Sequence, residues 1–383
     1  MKKILSIVLI SSFILSLFGC ANAGSGGGSS DVIKIGVFEP ITGANGDGGQ
    51  LEVNGIKLAN KLYPEVLGKK IELVVADNKS DKVEAATAAS KLVEQDKVKA
   101  ILGSWGSSLC MAAGDIVQSA KVPALGASCT NPLVTEGNDY YFRICFIDPF
   151  QGTVMANYAF NDLKATKVAI LQEISNDYSV GLANFFQEQF KKLTGDDSSI
   201  VDVQNYNTGD TDFSAQIQNI AAKNPDVVFA PGNYTESAMA IKQAKQLGLD
   251  VPFIGGDTWE VPEFIDVGGD AVEGVVLSSF FDPSNPLNDE ARKFIEEYKK
   301  EYGEEPAAFA ANGYDAYLVM RDAIERAGSD DSVAIRDAIA VTKGFRGATG
   351  EITLNETGDA VKDAVLKVIK DGKFTFKGVA KAE

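Results

Sequence analysis

Apolar and polar residues follow one another along this chain in two rhythms. Short runs rich in Val, Ile and Phe, such as VIKIGVF over Val32–Phe38, give way to stretches with apolar residues every three or four positions. The first rhythm marks a strand and the second an amphipathic helix. On this basis Val32–Phe38, Ile71–Val75, Ala100–Gly103, Lys167–Leu171, Ile200–Val203, Val227–Ala230 and Pro252–Ile254 are predicted strands, and Glu52–Leu62 and Glu84–Glu94 are helices between the earlier ones. Strands alternating with helices at this spacing build βαβ units and mostly parallel sheets. The number of strands predicts two such sheets, hence an α/β protein of two Rossmann-like lobes.

Two segments share one design. AILGSWGSSLCMAAGDIVQSAKVPALGAS (Ala100–Ser128) and VVFAPGNYTESAMAIKQAKQLGLDVPFIGGD (Val227–Asp257) both run strand, glycine loop, hydroxyl-bearing helix start, helix, Val-Pro, strand, small-residue loop. In open parallel sheets ligands bind beyond the carboxyl ends of the strands. Those loops here are Ser104–Ser108, Ser128–Asn131, Pro231–Thr235 and Gly255–Trp259, and two facing lobes would line one cleft with all four.

The N-terminus changes the compartment. Met1-Lys2-Lys3 is basic, Ile4–Phe18 is apolar and short for a membrane span, and a small-residue exit follows, as in an export signal. The exit, Leu17-Phe18-Gly19-Cys20, is similar to the lipobox of bacterial lipoproteins, in which the Cys is lipidated and becomes the new N-terminus; Phe18 departs from the usual small or branched residue. The Gly/Ser-rich run from residue 21 to 31 reads as a flexible tether.

Composition narrows the chemistry. With 45% hydrophobic and 23% charged residues the chain can bury a sizeable core, and its 383 residues suit two domains. A formal charge of −17 argues against nucleic acid, which needs clustered Lys and Arg. There is no histidine, which removes Ser-His-Asp and Cys-His catalysis and His-ligated zinc. Apart from Cys20, the cysteines are Cys110, Cys129 and Cys145; their spacing fits no metal motif, and one disulfide among the three stays open. No metal or cofactor is expected.

Several residues have a type and position suited to recognition. Ser107 and Ser108 open a helix, where unpaired N–H groups and partial positive charge attract a carboxylate, or where a serine simply caps the helix. Ser128 and Thr130 follow a strand and offer hydroxyls. Asp257 follows two glycines, as a turn residue does, yet a carboxylate in a cleft would pair with a ligand ammonium. Trp105, Tyr178, Tyr234 and Trp259 fall in or near loops, where aromatics enclose an apolar group.

Taken together, IKIGVFEPITG, GSWGSS, VPALGASCTNP, NDYSVGLANFF, GDTDFSAQIQNIAAKNPDVVF, IKQAKQLGLDVPFIGGD and GGDAVEGVV resemble the branched-chain amino-acid-binding proteins of ABC transporters, which have the periplasmic-binding-protein type I fold. The resemblance covers nearly all of residues 31 to 383. It implies two lobes, residues 32–148 plus 280–355 and residues 149–279 plus 356–383, joined by a three-stranded hinge. It implies that Ser107 holds a ligand carboxylate, that Ser128 and Thr130 contact carboxylate and ammonium, and that Asp257 pairs with the ammonium, although close leucine-binding relatives use glutamate there and often alanine at Ser128. Tyr178 and Tyr234 would be cleft aromatics, with Asn233 an alternative in register, and Trp105 would cover the ligand side chain.

No Arg or Lys stands at a matched cleft position, which favours a neutral amino acid: leucine, isoleucine or valine first, other neutral amino acids or small amides next. The expected protein is a monomeric solute-binding lipoprotein, anchored through Cys20 outside the cytoplasm of a Gram-positive-type envelope, that delivers its ligand to an ABC permease and its ATPase. A sensory ectodomain on the same fold is the alternative. An enzyme is disfavoured, because no nucleophile has a base beside it.

Overall fold

A computed structural model describes residues 32–382; the lipobox and tether lie outside the described residues. The first lobe's strands are β1 (Val32–Glu39), β2 (Glu65–Val66), β3 (Lys69–Asp77), β4 (Ala100–Leu102), β5 (Ala124–Gly126) and β6 (Tyr141–Arg143). Among the described residues they form a sheet in the order β2-β3-β1-β4-β5-β6, parallel except for the β2–β3 hairpin. The second sheet takes β7 (Val168–Glu173), β8 (Ile200–Tyr206), β9 (Val227–Phe229), β10 (Phe253–Gly255) and β11 (Val276–Ser279), with a short ribbon of β12 (Phe345–Gly347) and β13 (Gly350–Ile352) standing apart. β14 (Ala364–Lys370) and β15 (Lys373–Ala380) complete its order, β15-β14-β11-β10-β9-β7-β8. The central strands β4, β5, β9 and β10 are buried throughout, as expected of parallel strands covered on both faces.

The helices are α1 (Gly46–Leu62), α2 (Lys82–Glu94), α3 (Ser107–Ala120), α4 (Asp148–Asn157), α5 (Asp177–Thr194), α6 (Ser214–Ala222), α7 (Tyr234–Gln246), α8 (Pro262–Gly268), α9 (Asp289–Tyr302), α10 (Ala308–Ala327) and α11 (Ser332–Ala340). The two segments of shared design become β4-α3-β5 and β9-α7-β10, each a parallel βαβ unit at its sheet's centre. Helix α1 begins six residues before the predicted Glu52 start, because Gly46-Asp47-Gly48-Gly49 is helical despite its glycines. Tertiary contact explains this. A Cβ on Gly49 would lie 2.0 Å from Pro40 O, and one on Gly48 2.7 Å from the Trp105 indole, so only glycine lets the turn lie so close to β1 and to that ring. Further along, α1 crosses α10 backbone to backbone, where a Cβ on Gly55 would meet Ala310 O at 1.9 Å and one on Gly313 would meet Glu52 O at 2.2 Å.

The chain crosses between the sheets three times: after β6, after β11 and between β13 and β14. Among the described residues the crossings carry no strand of their own that pairs with another crossing, and the first is tied to the third by the Arg143 backbone N–H donating to Gly358 O at 2.9 Å. Arg143 gathers one crossing. Fully buried, it bonds Cys129 O and Asn131 O (2.6 and 2.7 Å) and the Thr135 hydroxyl (2.8 Å), and pairs with Asp359 on the third crossing at 2.6 Å. At the second crossing Lys367 of β14 is buried between Glu260 and Asp282, at 2.6 and 3.2 Å. Cys110, Cys129 and Cys145 are all free thiols and buried.

Candidate functional site

The loops at the carboxyl ends of both sheets' parallel strands face one cleft, partly open to solvent. All four anticipated loops contribute: Trp105 to Leu109 after β4, Ser128 after β5, Asn233 after β9, and Asp257 and Thr258 after β10. Of the anticipated residues, Trp105, Ser107, Ser108, Ser128, Tyr178 and Asp257 line it; Thr130 and Tyr234 do not. Thr130 is fully buried beside Asp148. Tyr234 is the first residue of α7 rather than a loop residue, and its ring packs edge-on against Trp105 at 5.9 Å. Tyr178 likewise belongs to a helix, the first turn of α5. Trp259 is buried in the core, stacked on Phe264 at 4.7 Å.

The lobes are in contact across the cleft mouth. The Ser108 hydroxyl donates to Asp177 Oδ2 (2.8 Å) and accepts from Asp177 N–H (3.0 Å), so it acts between the lobes. Lys82 Nζ reaches the same carboxylate at 2.8 Å, Asn131 Nδ2 donates to Asp177 O at 2.8 Å, and Asn233 Nδ2 donates to Asn45 Oδ1 at 3.0 Å. Lys82, a cation that the sequence reading did not place in the cleft, is thus neutralised at its rim. Half-exposed pairs of this kind contribute little singly and set the closed geometry together.

Deeper in, the cleft has two electrical poles. Helix α3 starts after Gly106 with no side-chain cap, so Ser107 and Ser108 are its first helical residues and not its caps. The Ser107 and Ser108 N–H groups, at the positive end of the helix dipole, are available to an anion, while the Leu109 N–H donates to Gly106 O at 3.1 Å. The Ser107 hydroxyl accepts from Asn131 N–H at 3.1 Å, which leaves its own proton free to donate.

The opposite pole is Asp257. Its Oδ1 accepts from Gln151 Nε2 (2.5 Å) and from the Tyr178 hydroxyl (2.9 Å), and among the described residues no Lys or Arg pairs with it. Burial pushes the carboxyl up to about 6, against the lowering effect of those two hydrogen bonds. Burial and the Asp257 charge raise the Tyr178 phenol as well, so Tyr178 is a neutral donor. The result is a buried carboxylate that lacks a counter-charge.

Glu173, a buried carboxylate of the cleft lining, was not singled out from sequence, nor were Gln151, Glu39 and Glu52, which stand behind the cleft wall. Glu39 and Glu52 are both fully buried, and the Ser128 hydroxyl donates to Glu52 Oε1. A charged residue ending an otherwise apolar strand, as in VIKIGVFE, and one on the buried face of α1 beside Val53 and Ile56, are the signals that could have found them. Among the described residues no cluster of His, Cys, Asp and Glu could hold a metal ion, and no helix is long and apolar enough to cross a membrane.

A family model described as periplasmic binding protein matches residues 32–373. A Leu/Ile/Val-binding protein homolog from Brucella abortus is 30% identical over 338 residues, covering 87% of this chain and 89% of that protein. The crystal structure of a leucine-binding protein from Thermotoga maritima superposes with a TM-score of 0.88 at 42% identity, covering 91% of this chain and 99% of the other. A branched-chain amino acid substrate-binding protein from Streptococcus pneumoniae, solved with isoleucine, gives 0.84 at 33% identity, with 91% and 99% covered.

Proposed function

We propose, from the premise that this chain belongs to the periplasmic binding protein family, that it captures a neutral α-amino acid in its interlobe cleft and delivers it to an ABC permease. The observation that carries this reading is the pairing of poles. The uncapped α3 N-terminus with the Ser107 hydroxyl faces the same cleft as Asp257, a buried carboxylate without a cation. A zwitterion presents a carboxylate to the first and an ammonium to the second, and leaves neither charge uncompensated. A ligand with only a carboxylate leaves Asp257 unpaired. A ligand with a second carboxylate finds only Lys82, already held by Asp177.

Relatives named for leucine, isoleucine and valine put those side chains first. Beyond the poles the lining carries Asn45, Ser80, Asn176 and Thr208, so alanine, serine and threonine belong in the same panel. Cys20 is the proposed lipid attachment site, and residues 21 to 31 the tether that keeps the folded lobes at the membrane.

A thermal-shift panel of the common amino acids tests the reading. A cognate amino acid at a hundred times its Kd stabilises the fold by about 2.7 kcal/mol, a rise of several degrees. A panel in which benzoate or another simple carboxylate raises the melting temperature, and no amino acid does, overturns it.

Capture also carries a proton signature. The unfolded chain gives up the Asp257 proton near 3.8 and the folded apo protein near 6, so this group lowers apo stability as pH rises across that window. A ligand ammonium favours the carboxylate and draws the folded value back down. Amino-acid binding is therefore expected to release protons near pH 6 and to weaken below it. Calorimetry in buffers of different ionisation enthalpy measures that release.

A further inference from the structure

Ser107 and Ser128, two of the serines that line the cleft, are wired oppositely. The Ser107 hydroxyl accepts a backbone N–H and keeps its proton for the ligand. The Ser128 hydroxyl gives its proton to Glu52, so toward the cleft it can only accept. An acceptor backed by a carboxylate suits a ligand ammonium and not a ligand carboxylate.

Glu52 stands on the buried face of α1, fixed there by the close α1–α10 crossing at Gly313. Behind it lies Glu39 at the end of β1, fully buried, its Oε2 accepting from Trp105 N–H at 2.7 Å. The two carboxyls act on one another, and burial raises both. Two such groups do not both ionise side by side, so the pair carries at most one negative charge. No Lys or Arg is among the groups acting on either.

We propose that Glu52 is a positioning residue of the ligand site. Acting through Ser128, it supplies from the first lobe a second share of the negative charge that holds the ligand ammonium, opposite Asp257 from the second lobe. This rests on the amino-acid reading above. It makes the ammonium a bridge between lobes, since each lobe then brings an acid that only the ligand neutralises.

The groups facing Glu52 are few. Glu39 comes from β1, Ser128 and Cys129 from the loop after β5, and Asp257 from the other lobe. Helix α10 presents Gly313 to the Glu52 main chain, and its Asp315 is turned to the Ala348 and Thr349 N–H groups. Burial raises Glu39 well above the carboxylate range and Glu52 to about 7. A ligand ammonium favours ionisation of the pair, so capture near neutral pH is expected to expel a further proton, above the Asp257 step.

The test is titration calorimetry of the full chain with L-leucine, L-isoleucine and L-alanine from pH 5 to 8.5, comparing wild type with Glu52→Gln, Glu39→Gln and Ser128→Ala. At pH 7.5 Glu52→Gln and Ser128→Ala are expected to bind at least about tenfold more weakly, as for loss of a charge-backed hydrogen bond. Glu52→Gln also loses the proton release near pH 7 and keeps the release near pH 6. Glu39→Gln keeps an N–H donor toward Glu52 and leaves the Glu52 charge in place, so it loses less affinity than Glu52→Gln and keeps the proton release near pH 7. Ser128→Ala keeps both acids and reads the same link should Glu52→Gln not fold.

Wild-type affinity and pH profile in Glu52→Gln and Ser128→Ala would overturn the proposal. So would equal losses in the two glutamine variants, the mark of a purely structural pair. If wild type binds no amino acid, the functional reading fails and takes this inference with it; a binding wild type with unaltered variants sinks this inference alone.

Discussion

Asp257→Ala is expected to abolish amino-acid binding while leaving the apo protein at least as stable as wild type. In the complex, removing the carboxylate strands a buried ammonium, and truncating one partner of such a pair costs about 2–5 kcal/mol, or at least about a thirtyfold loss of affinity. In the apo protein the balance has the opposite sign. Asp257 is fully buried without a cation, and its raised protonation shows that the fold disfavours its charge. Its removal leaves the Tyr178 hydroxyl and one Gln151 N–H to be satisfied by water in the open cleft, while the other Nε2 hydrogen still donates to the Ser278 hydroxyl at 2.8 Å. Titration calorimetry and melting of the same sample separate the two effects. Affinity within threefold of wild type would reduce Asp257 to the turn residue that its Gly-Gly setting suggests.

Arg143→Met is expected to act the other way, on the fold first and the ligand second. The guanidinium is fully buried and gathers Cys129 O, Asn131 O, the Thr135 hydroxyl and Asp359. Methionine fills much of the volume but leaves Asp359 charged and those carbonyls without a donor. Breaking a buried pair from one side costs about 3–5 kcal/mol, which corresponds to a fall in melting temperature of roughly 5 °C for a chain of this size. The loop so released carries Ser128 and the Asn131 N–H that orients Ser107, so affinity is expected to fall with stability. Adding Asp359→Asn should recover part of the stability, since it removes the stranded charge. An unchanged melting temperature in the single variant would show that water or neighbouring donors replace the guanidinium.

These two residues show unequal legibility. Asp257 was visible in the sequence because it sits in a loop after a strand, where topology alone sends ligands, and because the family resemblance carries an acid there. Arg143 drew no attention: it ends a short strand, and nothing local says that three carbonyl and hydroxyl groups from residues 129 to 135 and a carboxylate more than 200 residues later will surround it. Glu39 and Glu52 were passed over for the same reason. Each looks locally like an ordinary strand end or helix residue, and only the packing of α1 on β1 puts the two carboxyls together behind Ser128. The hydroxyls illustrate the point most sharply. Ser107, Ser108 and Ser128 were equivalent candidates by type and position. The partners they meet make the first a donor toward the cleft, the second a contact between lobes, and the third an acceptor.

The sequence by itself therefore determined the α/β class, the two parallel sheets and the loops that meet at the cleft, because periodicity and strand-helix alternation are local properties that topology turns into a binding edge. It also placed Asp257 there. Tertiary structure alone decided which polar atoms remain free in that cleft, that Thr130 and Tyr234 lie behind its wall, and that Glu39 and Glu52, distant from Ser128 in sequence, are buried behind it. The physical reason is that hydrogen-bond direction and the ionisation of a buried acid depend on every group that burial brings within reach, and those groups come from parts of the chain that no local pattern connects.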